Sequence, residues 1–213
     1  MQRLTLHEDR FSGNAYKVRL TASLIDVKIH ESIQYEISKG GTRTPDFLSK
    51  INANGRIPVL QVGSDKYLPE SNAACYYLAT GSRLIPSDPW KHAQVLQWMF
   101  FEQSFVEPTI GTLRYWFKRT GEDNFSQEQQ VVSSSKRESA ETALQVMDAH
   151  LATRDFFVDE EMTLADAVLY AYVHLAPEAG LDLARWANVH AWCRRISNHS
   201  GFVSMDYRES EET

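Results

Sequence analysis

The chain has 213 residues, of which 43% are apolar and 23% charged, ordinary proportions for a globular protein. A net charge of −6 without a basic cluster argues against nucleic acid as a partner. The first residues lack the apolar segment of a signal peptide, and the longest clearly apolar stretch, 167–173, is too short for a membrane span. Cys75 and Cys193 suggest neither a disulfide framework nor a metal site. We therefore expect a cytoplasmic protein with reduced thiols, no metal, and no membrane or nucleic-acid partner.

Strand and helix signals alternate along the first eighty residues. Strands show alternating apolar positions, while helices are marked by apolar positions at helical spacing, by Pro45 at a helix start and by Ser71 as a cap. The order β-α-β-α-β-β-α indicates a mixed sheet with helices on its faces. The predicted strands are 3–7, 27–37, 57–62 and 66–68, and the predicted helices are 16–24, 45 to about 52, and 71–79.

The character of the sequence changes after Gly81. Residues 81–89 include Pro86 and Pro89 and are typical of a linker, and only helical periods follow. We predict an α/β domain over 1–80, a linker over 81–89 and an all-α domain over 90–213. Residues 1–80 carry ten Lys or Arg against eight Asp or Glu, so this near-neutral part could receive a small anionic ligand.

Two apolar stripes and one cap define helices of the second domain. Thr163 opens a helix, with Asp166 in the position that completes a capping box. Glu102 lies on an apolar stripe, and we interpret it as part of a buried structural pair rather than as a catalytic group. A last helix is predicted over 189–197, with a frayed tail over 208–213. The stripes comprise Val95, Trp98, Met99, Glu102 and Val106, and Ala140, Ala143, Leu144, Met147 and Leu151.

The loop entering the first predicted helix carries groups suited to thiolate chemistry. Ser12 and Asn14 supply a hydroxyl and an amide, and the helix start adds N–H donors and partial positive charge, which favour a thiolate. A thiol with a pKa of about 8.5 is only about 3% ionised at pH 7, and lowering that pKa by about two units requires about 2.7 kcal/mol. One hydrogen bond plus a helix start can supply that amount. The alternative interpretation of Ser12 is an ordinary helix cap.

Two further segments suit recognition of a short peptide. Pro58 begins a strand and is of the kind often preceded by a cis bond, so Ile57 could pair through its main chain with an extended ligand. Ser71 and the adjacent helix start could bind a carboxylate, while Glu70 could bind an ammonium group. Each segment alone also fits a structural role, as a strand start or as a helix cap.

The three segments together resemble the cytosolic glutathione transferase family, and the resemblance covers nearly the whole chain. Ser12 and Lys17 match the spacing of its serine-type classes, in which a Ser or Thr precedes a basic residue by five positions. GRIPVL and LPESNAACYYLA resemble its cis-proline strand and Glu-Ser glutathione motif, and TLADAVLYAY resembles its capping box. QWMFFEQ and HLAPEAGLDLARWANVHAWCRRI are similar to bacterial members. The resemblance implies a thioredoxin-like N-terminal domain followed by an all-helical domain.

The resemblance also implies roles for individual residues. Ser12 would hold the glutathione thiolate with help from Asn14, while Glu70 and Ser71 would hold the γ-glutamyl group.

The remaining glutathione contacts would come from the segment before the third strand. Arg56 would meet the glycyl carboxylate, with Arg43 or Thr44 on the preceding loop as weaker candidates, and Ile57 would pair with the cysteinyl main chain. We expect no metal. The electrophile pocket would be lined by Phe11, Phe105, Thr109 and Tyr115, for which core packing is an equal alternative.

Two features depart from similar bacterial sequences. Ala15 stands where those sequences often have Cys, which argues against cysteine-based redox chemistry at this loop. Residues 102–107 read E-Q-S-F-V-E where relatives often have E-Q-Y-S-H-E. Because this region would line the electrophile pocket, we expect a different second substrate.

Two classes of function follow from the resemblance. The first is a homodimeric enzyme that conjugates glutathione, as co-substrate, to small hydrophobic electrophiles, with isomerase, peroxidase or dehalogenase activity as open variants. The second is a non-catalytic interaction module. Ser12, Arg56, Glu70 and Ser71 together favour the enzyme, because a scaffold does not need all four.

Overall fold

A computed structural model describes residues 2–158 and 160–207 of the chain. Contacts divide these residues into two units, one containing 2–82 and 200–207 and the other 83–199. The sequence-based boundaries were 1–80, 81–89 and 90–213. The units differ from them in assigning most of the linker to the helical unit and residues 200–207 to the first unit.

The first unit is built on a mixed four-stranded sheet, as the sequence predicted. Its strand order is β2-β1-β3-β4, with β1 parallel to β2 and antiparallel to β3, and β3 antiparallel to β4. The predicted strand over 27–37 is shorter in the structure, because only four of its residues pair with β1. The strands are β1 (Leu4–Glu8), β2 (Glu31–Gln34), β3 (Val59–Val62) and β4 (Lys66–Pro69), and the helices are α1 (Gly13–Leu24), α2 (Pro45–Lys50) and α3 (Ser71–Ala79).

All five residues of β1 are buried, although only two of them are aliphatic. Alternate residues of a strand point to opposite faces, so Leu6 and Glu8 share one face and His7 lies on the other. The imidazole of His7 is hydrogen-bonded on both sides, at 2.8 Å to the Tyr35 hydroxyl and 2.9 Å to Gln61 Oε1. Because an amide oxygen only accepts, His7 Nε2 carries the proton and Nδ1 accepts from Tyr35. This network lets the sheet bury a polar side chain.

The segment 200–207 lies against α1 and is held through its main-chain carbonyls. Ser23 Oγ donates to Gly201 O at 2.9 Å, the Tyr16 hydroxyl to Val203 O at 2.7 Å, and Arg19 Nη1 to Met205 O at 3.1 Å. Apolar periodicity gives no sign of bonds between side chains and main-chain carbonyls so far apart in sequence, which is why the sequence grouped this segment with the helical domain. The tail predicted to fray, 208–213, lies outside the described residues.

The described part of the second unit contains helices and turns but no strand, in agreement with the predicted all-α domain. Leu84, in the segment predicted as a linker, is fully buried, and its carbonyl accepts from Leu164 N–H at 2.8 Å. None of the helices described is long and apolar enough to cross a membrane. The helices are α4 (Pro89–Phe101), α5 (Thr112–Arg119), α6 (Gln127–Leu151), α7 (Leu164–Val173) and α8 (Ala187–Ser197).

A π-helical segment, Glu102–Gly111, joins α4 to α5, where the sequence suggested a regular helix. Pro108 lies inside it, and a proline cannot supply the N–H that an α-helix requires at that position. The carbonyl of Pro108 accepts from Thr112 Oγ1 at 2.9 Å and from Lys136 Nζ at 2.6 Å. The predicted core positions are nevertheless confirmed, since every residue of both apolar stripes is buried, Glu102 included.

The capping box at the start of α7 is confirmed and is part of a larger network. Asp166 Oδ2 accepts from Thr163 N–H at 2.8 Å and from Thr163 Oγ1 at 2.9 Å. Its other oxygen, Oδ1, accepts from Phe157 N–H at 3.0 Å and from the Trp192 indole N–H at 2.9 Å. Asp166 is fully buried, and this burial raises the pKa of its carboxyl despite the four donors. One carboxylate therefore joins the start of α7, the segment before it and α8.

Candidate functional site

Ser12 occupies the N-cap position of α1 and is half-buried. Its Oγ accepts from Ala15 N–H at 3.3 Å, while its own N–H donates to Asp9 O at 2.9 Å. The capping interpretation is thus realised in the structure. It does not exclude the chemical role, because an accepting hydroxyl keeps its own proton and can still donate it.

The loop before Ser12 is fixed by hydrogen bonds from several elements. Phe11 N–H donates to Asp9 Oδ1 at 2.9 Å, and Arg10 N–H donates to Gln34 Oε1 at 3.0 Å. Arg10 O accepts from Arg19 Nη2 at 2.9 Å. The phenyl ring of Phe11 is 57% exposed, with the Arg10 guanidinium carbon 4.7 Å from its centroid.

The start of α3 has an unusual backbone. Glu70, rather than the predicted Ser71, occupies the N-cap position, and its φ of 70° and ψ of 112° are rare for a residue with a side chain. Such a conformation costs about 1–3 kcal/mol and is concentrated at functional sites. The Glu70 side chain is exposed, whereas Ser71, the first residue of α3, is buried.

The structure brings Ser71 together with two residues of α1. Ser71 Oγ donates to Asn14 Oδ1 at 3.2 Å and accepts from Lys17 Nζ at 3.4 Å. Lys17 is fully buried. Its ammonium therefore lies near the starts of α1 and α3, where helix N–H groups already provide partial positive charge, and this combination attracts anionic groups.

The chain between β2 and β3 contains four of the predicted candidates for glutathione binding, Arg43, Thr44, Arg56 and Ile57. The Ile57–Pro58 bond is cis, as expected. The Arg56 side chain is exposed, and its carbonyl accepts from Asn52 Nδ2 at 3.0 Å. Arg43 Nη1 donates to Asn54 O at 3.1 Å and lies where a Cβ on Gly55 would come within 2.6 Å of it. The guanidinium of Arg43 is thus engaged with the main chain. Thr44 caps α2 by accepting from Phe47 N–H at 3.3 Å.

The four residues predicted for the electrophile pocket are divided between the units. Phe11 belongs to the first unit, and Phe105, Thr109 and Tyr115 belong to the second. Phe105 and Tyr115 are 54% and 55% exposed, so the three aromatic side chains are not core residues. Thr109 is buried, and its hydroxyl donates within its own helix to Phe105 O at 2.5 Å.

Family models match both parts of the chain. The N-terminal domain of glutathione S-transferase matches residues 2–80, and the C-terminal domain of glutathione S-transferase matches residues 94–200. The chain belongs to the glutathione S-transferase family. Its first unit accordingly has the thioredoxin-like fold expected of this family's N-terminal domain.

The proteins similar to this chain include glutathione S-transferases and elongation factor 1-gamma. A possible glutathione S-transferase from Rhodopseudomonas palustris is 40% identical, with a TM-score of 0.90 and coverage of 97% of this chain and 91% of its own. The glutathione S-transferase-like protein LUC7 of Fusarium sp is 30% identical over 193 residues, or 86% of this chain and 84% of LUC7. Elongation factor 1-gamma of Artemia salina is 31% identical over 189 residues, but this chain covers only 42% of that protein.

Sequence reasoning missed Arg19 and Gln34, and it missed the contact between Ser71 and Asn14, although it had singled out both of those residues. The bond between Ser71 and Asn14 joins positions 57 residues apart, and the bonds of Arg19 and Gln34 to Arg10 involve main-chain atoms. Lys17 and Arg19 lie two positions apart on α1. Their spacing in the sequence does not reveal that Lys17 is buried or that Arg19 bonds to the loop. In the described residues no group of three or more His, Cys, Asp and Glu side chains is arranged to hold a metal ion.

Proposed function

We propose that this transferase-family protein binds glutathione through its first unit and transfers the thiolate to small hydrophobic electrophiles. The observation that carries the proposal is the convergence of the α1 and α3 starts, where Asn14 and Lys17 both contact Ser71. Segments that lie apart in the sequence thus meet in one hydrogen-bonding surface, close to two helix starts and to the buried ammonium of Lys17. A small zwitterionic peptide is the kind of ligand that such a surface recognises.

The γ-glutamyl end of glutathione would be bound at the start of α3. The exposed carboxylate of Glu70 would bind the ammonium, and Ser71 would bind the carboxylate together with helix N–H groups. The Ser71 hydroxyl can turn from Asn14 toward the ligand while still accepting from Lys17, because a hydroxyl donates once and accepts twice. A second anionic acceptor near the Lys17 ammonium is favourable.

The sulfur of glutathione would be bound at the start of α1. Ser12 would donate its hydroxyl proton to the thiolate, and the N–H groups of the first turn of α1 would add partial positive charge. Asn14 would assist through its amide N–H₂ group, because a thiolate only accepts hydrogen bonds and the amide oxygen cannot donate. Serine hydroxyl and helix start together can supply the roughly 2.7 kcal/mol that lowers a thiol pKa by about two units.

The rest of the peptide would lie along the segment before β3. Ile57 would pair through its main chain with the cysteinyl residue, as in strand addition. Arg56 is the better candidate for the glycyl carboxylate, because its side chain is exposed while Arg43 is engaged with Asn54 O. Phe11, Phe105, Thr109 and Tyr115 remain our candidates for contacts with the electrophile, and the three aromatic side chains among them are exposed. We further propose a cytoplasmic homodimer that requires no metal.

The alternative function is a non-catalytic interaction module, which the similarity to elongation factor 1-gamma supports. Both functions are compatible with the fold, so the site residues must distinguish them. A module needs neither the hydroxyl of Ser12 nor the strained backbone of Glu70. Isomerase, peroxidase and dehalogenase activities would use the same thiolate and differ only in the second substrate.

The deciding experiment combines glutathione binding with turnover. Calorimetry should detect glutathione binding to the wild-type chain, and a chromogenic conjugation assay should show activity that Ser12→Ala reduces. Ser49→Ala is a matched control, because this serine donates to main-chain carbonyls within α2 and belongs to no proposed site. Wild-type protein that binds no glutathione would favour the interaction module. Binding without conjugation would contradict the transferase activity and favour one of the other glutathione-dependent reactions.

A further inference from the structure

We propose that Arg19 is a positioning residue that fixes the loop carrying Ser12 and thereby sets how the Ser12 hydroxyl meets its ligand. The guanidinium of Arg19 contacts three separate parts of the first unit. Nη2 donates to Arg10 O at 2.9 Å, Nη1 donates to Met205 O at 3.1 Å, and Nε lies 3.2 Å from Glu8 Oε2. This inference rests on the proposed function only for its catalytic consequence.

Arg10 is the residue through which the loop is held. Both of its main-chain polar groups bond to side chains from outside the loop, the carbonyl to Arg19 and the N–H to Gln34 Oε1 at 3.0 Å. Two residues later the chain reaches Ser12, whose N–H closes the loop on Asp9 O. A shift of Arg10 is therefore transmitted over one intervening residue to the Ser12 hydroxyl.

Packing alone does not fix this loop. A cavity of about 1130 Å³ borders it, and Arg10, Phe11, Arg19 and Met205 are among the residues that line the cavity. Arg10 and Phe11 are exposed, so few side chains press on them. A loop beside open space keeps one conformation through directional bonds, and Arg19 supplies one of them.

Glu8 holds Arg19 in the orientation that this bridge requires. The Glu8 side chain is only 3% exposed, and Ser32 Oγ donates to its Oε1 at 2.7 Å, which leaves Oε2 facing Arg19. A buried carboxylate strongly favours a nearby cation. Only a guanidinium has donors in a planar fork that can reach a carboxylate and two carbonyls at once, so lysine cannot replace Arg19.

The test compares Arg19→Lys, which keeps the charge beside Glu8, with the wild type. Hydrogen–deuterium exchange of the ligand-free protein should be faster at the amides of residues 10–13 in the variant, with a similar urea midpoint. Turnover should fall about tenfold with less than about a threefold change in glutathione KM, because small misplacement affects chemistry more than binding. The pKa of bound glutathione should rise.

The matched control is Ser23→Ala, which removes another bond from α1 to the segment 200–207 but touches no part of the loop. It should leave loop exchange and turnover unchanged, whereas Gln34→Ala, which removes the second anchor of Arg10, should reproduce the effect of Arg19→Lys. Unchanged exchange in Arg19→Lys would overturn the proposal, and so would an equal effect of Ser23→Ala. Because exchange is measured without glutathione, a failure of the proposed function appears separately, as wild-type protein that does not bind it.

Discussion

The starts of α3 and α7 place similar residues in different environments. Each combines a carboxylate with a hydroxyl at a helix start, and the sequence indicates a cap in both cases. At α7 the carboxylate of Asp166 is fully buried and accepts four hydrogen bonds from the protein itself. At α3 the carboxylate of Glu70 is exposed on a strained backbone. The comparison shows that burial decides whether such a carboxylate stabilises the fold or remains accessible to a ligand.

Removal of the buried carboxylate should have the largest effect. Asp166→Ala leaves the N–H groups of Phe157 and Thr163 and the indole of Trp192 buried without their acceptor, so we expect a loss of about 3–5 kcal/mol in the free energy of unfolding. Urea denaturation measures this loss. Asp182→Ala is the matched control, because Asp182 accepts from Ala184 N–H at an exposed turn, and it should cost less than about 1 kcal/mol. Equal losses would show that burial is not the deciding difference.

Removal of the exposed carboxylate should weaken binding rather than folding. Glu70→Ala should raise the glutathione Kd about tenfold or more, since a charge-assisted hydrogen bond contributes about 1.5–3 kcal/mol. Glu70→Gly should weaken binding equally, yet be about 1 kcal/mol more stable than Glu70→Ala, because glycine adopts a positive φ without strain. Calorimetry and urea denaturation of both variants separate the two effects. A Kd equal to that of the wild type would contradict the proposed γ-glutamyl site.

Removal of the Ser12 hydroxyl should raise the pKa of bound glutathione and leave the affinity for glutathione nearly unchanged. Ser12→Ala should raise the pKa of bound glutathione by about one unit, equivalent to about 1.4 kcal/mol, and reduce turnover near neutral pH about tenfold. Thiolate absorbance followed against pH in both proteins measures the shift. Coincident titration curves would show that Asn14 or the helix start stabilises the thiolate instead.

Removal of the charge of Glu178, whose carboxylate is half-exposed, should have the smallest effect on the free energy of unfolding. Burial tends to raise the pKa of Glu178, but its hydrogen bonds to Lys118 and Arg114 and their charges outweigh burial, so its pKa lies below the ordinary 4.5. Its contribution to stability is therefore complete above pH 4.5 and is lost as the pH falls through the folded-state pKa. Glu178→Gln should cost at most about 1 kcal/mol at neutral pH. Denaturation at a series of pH values should show this difference narrowing below pH 4.5.

Patterns that depend on local spacing were predictable. The β-α order of the first unit, both apolar stripes and the capping box at Thr163 follow from side-chain periodicity and cap chemistry, which neighbouring residues determine. The prediction of local structure was wrong at two places. Residues 102–111, which include Pro108, form a π-helical segment in place of the expected regular helix, and Glu70, not Ser71, occupies the N-cap of α3.

The family, most elements of the fold and the candidate site residues follow from the sequence alone. The contacts of those residues depend on the tertiary structure. It joined Ser71 to Asn14 and Lys17, engaged Arg43 with Asn54 O, and connected Arg10 to Met205 through Arg19. These contacts join distant segments through side-chain donors and main-chain carbonyls. Every residue carries such a carbonyl whatever its side chain, so no motif in the sequence marks which one is used.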